Sequence, residues 1–195
     1  MSKIFIVIGK SATGKDTIFK ELIQQTRGQL KTIVPYTTRP IRTGETEGME
    51  YHFVTTKERE RLREQGKIIE ERIYQTVFGE WVYFTADDGQ IDLNADSYIM
   101  ISTLEGYESL MKHFGSEHVI PVYIEVEDGE RLNRAVTRER AQIKPKYEEL
   151  CRRFLSDQED FKEENLEKLG IKKRYYNMEK EQCIHDILSD IVSLI

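Results

Sequence analysis

Gly9-Lys10-Ser11-Ala12-Thr13-Gly14-Lys15 sets two glycines and a lysine in the spacing GxxxxGK. Glycines let backbone N–H groups curl around phosphate oxygens, and a helix N-terminus just beyond them adds partial positive charge. Lys15 then neutralises the β and γ phosphates of a bound nucleotide. The next residue of this pattern is usually a Ser or Thr whose hydroxyl ligates Mg2+. Here it is Asp16, followed by Thr17. Two readings of Asp16 stand side by side. Its carboxylate is a hard oxygen ligand that holds or orients Mg2+, or it only complements the positive end of the helix. Acidic charge beside phosphates repels them unless a cation intervenes, which favours the metal reading.

A second anion site is suggested further on. Thr37-Thr38-Arg39-Pro40-Ile41-Arg42 is followed by Gly44, Glu45, Gly48, Tyr51 and Phe53. Arg39 and Arg42, with hydroxyls beside them, suit a dianionic phosphate through charge-assisted hydrogen bonds. The Tyr51 hydroxyl offers a further donor. The competing reading is a solvated polar loop. Six arginines then fall between Arg131 and Arg153: Arg131, Arg134, Arg138, Arg140, Arg152 and Arg153. Arg134 and Arg138 are i,i+4 and share a helical face. They read as a closing lid that brings guanidinium groups to a transferring phosphoryl. They read equally as a mixed-charge solvated face, since Glu130, Glu139, Glu148 and Glu149 are interleaved.

The elements that must carry these residues follow from patterning. Ile4–Ile8 is a continuous apolar run, as in a strand buried on both faces. Beyond the glycine loop, Ile18, Leu22 and Ile23 recur at helical spacing, so the order is strand, loop, helix. Lys31–Val34 is a short strand candidate, and Pro35 to Glu50 reads as a long polar loop. Tyr51–Val54 reads as a strand. Thr55 with Glu58 forms a capping-box pattern opening a helix to about Gln65. Lys67–Gln75 and Glu80–Ala86 flank Phe78-Gly79 as a hairpin. Ser97–Ser102 and Val119–Val126 are further core strands, with a helix near Leu104–Phe114 between them. Asp128 to Leu166 is long, helical and charged; Arg174–Asn177 is a last short strand, and Glu179–Ile195 a last helix. Strands alternating with helices predict a parallel α/β sheet.

Composition narrows the class. The 195 residues, 38% hydrophobic and 33% charged with 4 Pro, exclude collagen-like and low-complexity chains. A net charge of −6 argues against nucleic acid or an anionic membrane as the main partner. Cys151 and Cys183 read as reduced thiols, and His52, His113, His118 and His185 lack zinc spacing. With no long apolar run, a cytoplasmic protein without a membrane span is expected. The oligomeric state is not legible.

The segment TTRPIRTGETEGMEYHFV resembles the phosphate-binding segment of guanylate kinases, TTR-x-x-R-x-G-E-x-x-G-x-x-Y-x-F-V, at every fixed position. With the glycine loop at the right separation, the resemblance implies an α/β P-loop NTPase fold. It would have a three-layer, parallel-sheet core (residues 1–35, 96–127 and 167–195), a small mixed α/β monophosphate-binding lobe (36–90) and a helical lid (128–166), all in one domain. It implies ATP and Mg2+ as cofactors, small-molecule nucleotides as partners, and phosphoryl transfer to a nucleoside monophosphate, GMP or dGMP first. Gly9 to Thr17 match the ATP-binding loop, and Lys15 acts catalytically. Arg39, Arg42 and Tyr51 match the acceptor-phosphate residues, and Glu45 is a further substrate-binding candidate of the same segment. Glu70 resembles the acid that reads the guanine edge, and Tyr83 a second phosphate-binding tyrosine, with Thr85 near its hydroxyl partner. Arg134, Arg138 and Arg153 match lid arginines. Asn177, in Tyr175-Tyr176-Asn177, resembles a residue that approaches adenine.

Three positions depart from the resemblance. Counting back from Gly106, the family's two strand-end aspartates are Ile101 and Thr103 here. Thr103 stays a candidate substrate contact. Pro35 stands where a guanine-contacting hydroxyl residue is usual. Asp16 is the expected replacement for the lost metal-side carboxylate. The departures leave open a P-loop kinase with another acceptor, either a different nucleotide or a sugar phosphate. A non-catalytic guanylate-kinase-like binding module is the remaining alternative. Retention of Lys15 speaks against it.

Overall fold

The structure is a computed structural model that describes residues 2–76 and 79–195. Every residue of β1 (Ile4–Ile8) is buried, as a central strand covered on both faces requires. It lies in a five-stranded sheet of order β2-β7-β1-β8-β9, with β2 Leu30–Thr32, β7 Ser97–Ile101, β8 Val119–Glu125 and β9 Tyr175–Tyr176. All its pairings are parallel: Ile4 lies opposite both Tyr98 and Val119, Leu30 opposite Ser97, and Ile124 opposite Tyr175.

The period-2 alternation of β1 sends its side chains to two separate cores. Phe5 and Val7 meet Ile18 and Leu22 of α1 (Lys15–Gln25) and Ile184, Ile187 and Ile191 of α7 (Lys180–Leu194). Ile4, Ile6 and Ile8 meet Leu104, Tyr107 and Leu110 of α3 (Leu104–Phe114) and Leu166 of α6 (Glu163–Lys168). Helices on both faces of one sheet make three layers.

A second, four-stranded sheet has the order β4-β3-β6-β5, with β3 Tyr36–Thr37, β4 His52–Phe53, β5 Ile68–Thr76 and β6 Gly79–Ala86. The β5–β6 pair is antiparallel and sets Glu70 opposite Thr85 and Arg72 opposite Tyr83. Of the predicted hairpin turn, Phe78 lies outside the described residues. The helix α2 (Thr56–Glu64) opens with the capping box, Thr55 Oγ1 accepting from the Glu58 N–H and the Glu58 carboxylate accepting from the Thr55 N–H. Tyr36, Leu62, Val82, Phe84 and Ala86 form this sheet's own core.

Two expectations need correction. The loop read from Pro35 to Glu50 contains β3, which pairs in parallel with β4 and antiparallel with β6. A strand this short has no readable periodicity, and its pairing on both sides stabilises it. The charged helical stretch from Asp128 to Leu166 is three helices, α4 (Asp128–Arg140), α5 (Tyr147–Asp160) and α6. Pro145 interrupts the exposed connection between the first two, because proline lacks the N–H a helix needs and restricts the residue before it. Among the described residues no helix is long and apolar enough to cross a membrane.

Candidate functional site

The chain leaves β1 at Ile8 and must pass close to the neighbouring strand. A Cβ on Gly9 would sit 2.7 Å from the Ile124 carbonyl oxygen. Gly14 caps α1 at φ +83°, and a Cβ there would also meet Asn177 Nδ2 at 2.6 Å. Both glycines are therefore required by geometry. The loop is closed from inside by the Thr13 hydroxyl donating to the Lys10 carbonyl at 3.0 Å. Lys15 begins α1, half-buried, with Asp16 and Thr17 exposed in the same first turn.

The loop already holds an anionic oxygen. The Ser11 N–H donates to Asp157 Oδ2 of α5 at 2.8 Å. Arg131 of α4 binds the same carboxylate at 2.9 Å, donates from Nε to the Ser11 carbonyl at 3.0 Å and pairs with Asp128. Its side chain is 1% exposed and its guanidinium lies 5.0 Å from the Phe154 ring centre. Lys10 Nζ donates to Gln158 at 2.6 Å. Both helices are thus tied to the glycine loop, α5 through Asp157 and Gln158 and α4 through Arg131. The sequence shows Arg131 only as one cation in a charge run, i,i+3 from Asp128, without revealing which face of α4 docks.

The predicted lid arginines take different places. Arg138 and Arg153 are exposed and line one small cleft beside Ser11 together with Arg131. Arg153 and Arg152 both bind Glu149, which holds that carboxyl down to about 2. Arg134 instead donates to Glu130 at 2.8 Å and to the Asn177 carbonyl at 3.0 Å. Asn177 is buried, and its amide donates to the Thr13 carbonyl at 2.7 Å. In this structure Asn177 braces the loop from behind, and its amide N–H faces Thr13 rather than an open base site.

The second anion site is built on β3 and the loop after it. Arg39 is 3% exposed and meets Glu45 fork to fork, at 2.7 and 2.6 Å. It also donates to the Tyr83 hydroxyl at 3.1 Å and the Pro40 carbonyl at 2.9 Å. The rings of Tyr51 and Phe53 lie 5.1 and 5.3 Å from its guanidinium carbon. The Arg39 hydrogen bonds push the Glu45 carboxyl down to about 2, and burial raises the Tyr51 phenol. Arg42 differs: it is exposed, lies 5.8 Å from the Trp81 ring centre and makes no ion pair among the described residues. Arg39 is therefore anchored on several sides, and Arg42 is held far less tightly.

Glu70 of β5 is 7% exposed and accepts from the Thr85 hydroxyl at 2.8 Å. Arg72, two residues on along the strand, faces Glu70; sequence reading passed over it, although i,i+2 spacing on a strand was its signal. Thr103 caps α3, its hydroxyl accepting from the Gly106 N–H at 3.2 Å. Beside it, the buried Ser102 hydroxyl has no hydrogen-bond partner among the described residues. The Pro35 carbonyl accepts from the His52 N–H at 2.8 Å. One cleft of ≈ 700 Å³ runs between the two sheets, lined by Gly9, Ser11 and Lys15 on one side and Glu71 to Tyr74 on the other, with Thr103 and Asp157.

These positions were compared with known proteins. The sequence model of the guanylate kinase family matches residues 1–164. A guanylate kinase of Neisseria gonorrhoeae is 39% identical over 102 residues, covering 52% of this chain and 47% of that protein. One from Anaplasma phagocytophilum is 30% identical over 141 residues, covering 71% of this chain and 64% of that protein. The match thus spans about half the length of the first relative and under two thirds of the second. The crystal structure of guanylate kinase from Anaplasma phagocytophilum superposes with a TM-score of 0.68 at 22% identity, over 98% of this chain and 85% of that one, which shows the same fold. The glycine loop, the Arg39–Tyr51–Tyr83 cluster and the cleft-lining residues of β5 all fall within the matched residues 1–164, and the chain belongs to the guanylate kinase family.

Proposed function

We propose that the chain transfers the γ-phosphoryl group of ATP to a nucleoside monophosphate, GMP or dGMP, yielding the diphosphate and ADP. The observation that carries this reading is the single cleft shared by the glycine loop and β5, with the Arg39–Tyr51–Tyr83 cluster on the same sheet as β5. Donor and acceptor held there would react without a covalent enzyme intermediate, so catalysis is positioning and charge stabilisation. Lys15 and the loop amides hold the donor phosphates, and the Ser11 amide is already suited to an anionic oxygen, as its bond to Asp157 illustrates. Arg42 and Tyr51 hold the acceptor phosphate, with Arg39 fixing their wall. Arg138 and Arg153 approach from the lid and exclude water.

Mg2+ fits as a companion of the nucleotide. Among the described residues no group of three or more His, Cys, Asp or Glu side chains converges as a metal cage. The ion would be held mainly by phosphate oxygens and water, as Mg2+ prefers, with Asp16 and Thr17 at the first turn of α1 as the nearest oxygens from the chain. When bound, it neutralises charge on the β and γ phosphates. The test is ADP release from Mg-ATP with GMP, dGMP, AMP, CMP, UMP and a sugar phosphate, each supplied alone. Turnover with GMP or dGMP supports the reading, and turnover only with another acceptor, or with none, overturns it.

A further inference from the structure

The acceptor pocket contains an ion pair whose donors and acceptors match one particular base edge. Glu70 and Arg72 project from the same face of β5, with side chains 3% and 21% exposed. Arg72 Nε donates to Glu70 Oε2 at 3.1 Å, and its NH2 group to Oε1 at 3.4 Å. The other terminal nitrogen reaches Thr103 Oγ1 at 3.5 Å. The Thr85 hydroxyl takes another lone pair of Oε1, at 2.8 Å. A carboxylate offers about four lone-pair sites, so little is free while Arg72 grips both oxygens. The 3.4 Å contact is the weaker of the two. Releasing it opens a lone pair on Oε1 beside the one on Oε2, and frees a guanidinium N–H. Two acceptors then lie next to one cationic donor.

We propose that Arg72 is a specificity-determining residue: it donates to the 6-keto oxygen of a guanine whose N1–H and 2-amino groups are accepted by Glu70. This rests on the proposed function above. Guanine presents acceptor, donor and donor along that edge, complementary to the freed pair. Adenine presents an amino donor where the guanidinium donates, and an N1 lone pair where the carboxylate accepts, so both contacts are repulsive. A site built on buried hydrogen bonds rejects a mismatched partner strongly, because its polar groups are left unpaired. Pro35, at a position where a hydroxyl residue is usual in the family, does not supply the keto donor. It has no N–H or hydroxyl, and its carbonyl is taken by His52. The Thr103 side chain accepts from Gly106 and reaches the base region only next to Arg72.

The test compares wild type with Arg72→Met, which keeps an apolar stem and removes every donor, and with Arg72→Lys. Steady-state kinetics use Mg-ATP with GMP and with IMP, which keeps the keto group and N1–H but lacks the 2-amino group. Ribose 5-phosphate, which has no base, is the inhibitor control. R72M is expected to raise KM for GMP and IMP by the same factor, about 10- to 100-fold for a lost charge-assisted hydrogen bond, with a smaller change in kcat. R72K should recover part of the loss, and ribose 5-phosphate inhibition should not change. An unchanged KM for GMP overturns the proposal. So does a rise for GMP that spares IMP, which would mean that Arg72 acts only by placing Glu70 against the 2-amino group. Equal weakening of ribose 5-phosphate would mean that the pocket had merely collapsed. A wild-type chain inactive toward every monophosphate would instead overturn the kinase reading itself, whatever the variants do.

Discussion

Asp157 Oδ2 accepts the Ser11 backbone N–H at 2.8 Å while binding Arg131 at 2.9 Å. A lid carboxylate thus occupies one of the glycine loop's amide donors, with a buried guanidinium offsetting its charge. Under the proposed function, incoming phosphate competes for that amide. Asp157→Asn should lower the KM for Mg-ATP severalfold, because a neutral amide is the weaker competitor. The same change should lower the melting temperature, since it leaves Arg131 short of a charged partner in a buried place. ATP titration and thermal unfolding of one variant read both effects, and a KM that rises would refute the competition.

The two acceptor arginines should separate in stability. Arg42 is exposed and unpaired with any carboxylate among the described residues, so Arg42→Ala is expected to raise the acceptor KM about 10-fold or more with little change in melting temperature. Arg39→Ala should also raise that KM, but in addition destabilise the fold by up to roughly 3 kcal/mol, because Glu45 loses its partner in a largely enclosed site. Denaturant unfolding beside kinetics distinguishes the two. Lys15→Ala should lower kcat about 100- to 1000-fold, as removal of a transition-state charge contact does. Near-wild-type turnover would remove Lys15 from the donor site.

Glu45 predicts an acid-sensitive contribution to stability. Its folded pKa, about 2, lies below the ordinary carboxylate value because Arg39 hydrogen-bonds its charged form. A depressed pKa contributes stability that is fully present above the unfolded value of about 4.3. That contribution is lost as pH falls from there toward the folded value. Melting temperatures of wild type and Glu45→Gln should therefore differ most above pH 5 and converge only as pH approaches about 2. A constant gap across that range would contradict the assignment.

Asp16 gives the metal prediction. If its carboxylate holds or orients Mg2+, Asp16→Asn should shift the Mg2+ titration of turnover to higher concentration, or abolish turnover. An unchanged titration would leave Asp16 as a helix-end charge only. Gly14→Ala should separately weaken the thermal stabilisation by Mg-ATP, since the position demands φ +83° and abuts the Asn177 amide.

Much of the glycine loop was legible because its determinants are contiguous. Buried strand, glycines at Gly9 and Gly14, Lys15 and an amphipathic helix follow one another within a few residues, and backbone geometry converts that order directly into a tight loop with the Ser11 N–H on an anionic oxygen. The run from Thr37 to Phe53 was legible only in part, because the pairing of β3 on both sides lies outside it, whereas the capping box at Thr55 and Glu58 is a local exchange of two hydrogen bonds. Tertiary structure alone decided which of those side chains are anchored and which remain open. Arg39 and Arg42 look alike in sequence, yet one is locked by Glu45 and Tyr83 while the other faces solvent. Arg131 looks like any cation of a charged helix until α4 docks on Ser11, 120 residues away. Asn177 reaches Thr13 across 164 residues, and Glu70 meets Thr85 only through the register of β5 on β6. The physical reason is the range of the interactions. Backbone conformation and helix caps are set by neighbours in the chain, whereas burial and the partner of a charge depend on which distant surface closes over it.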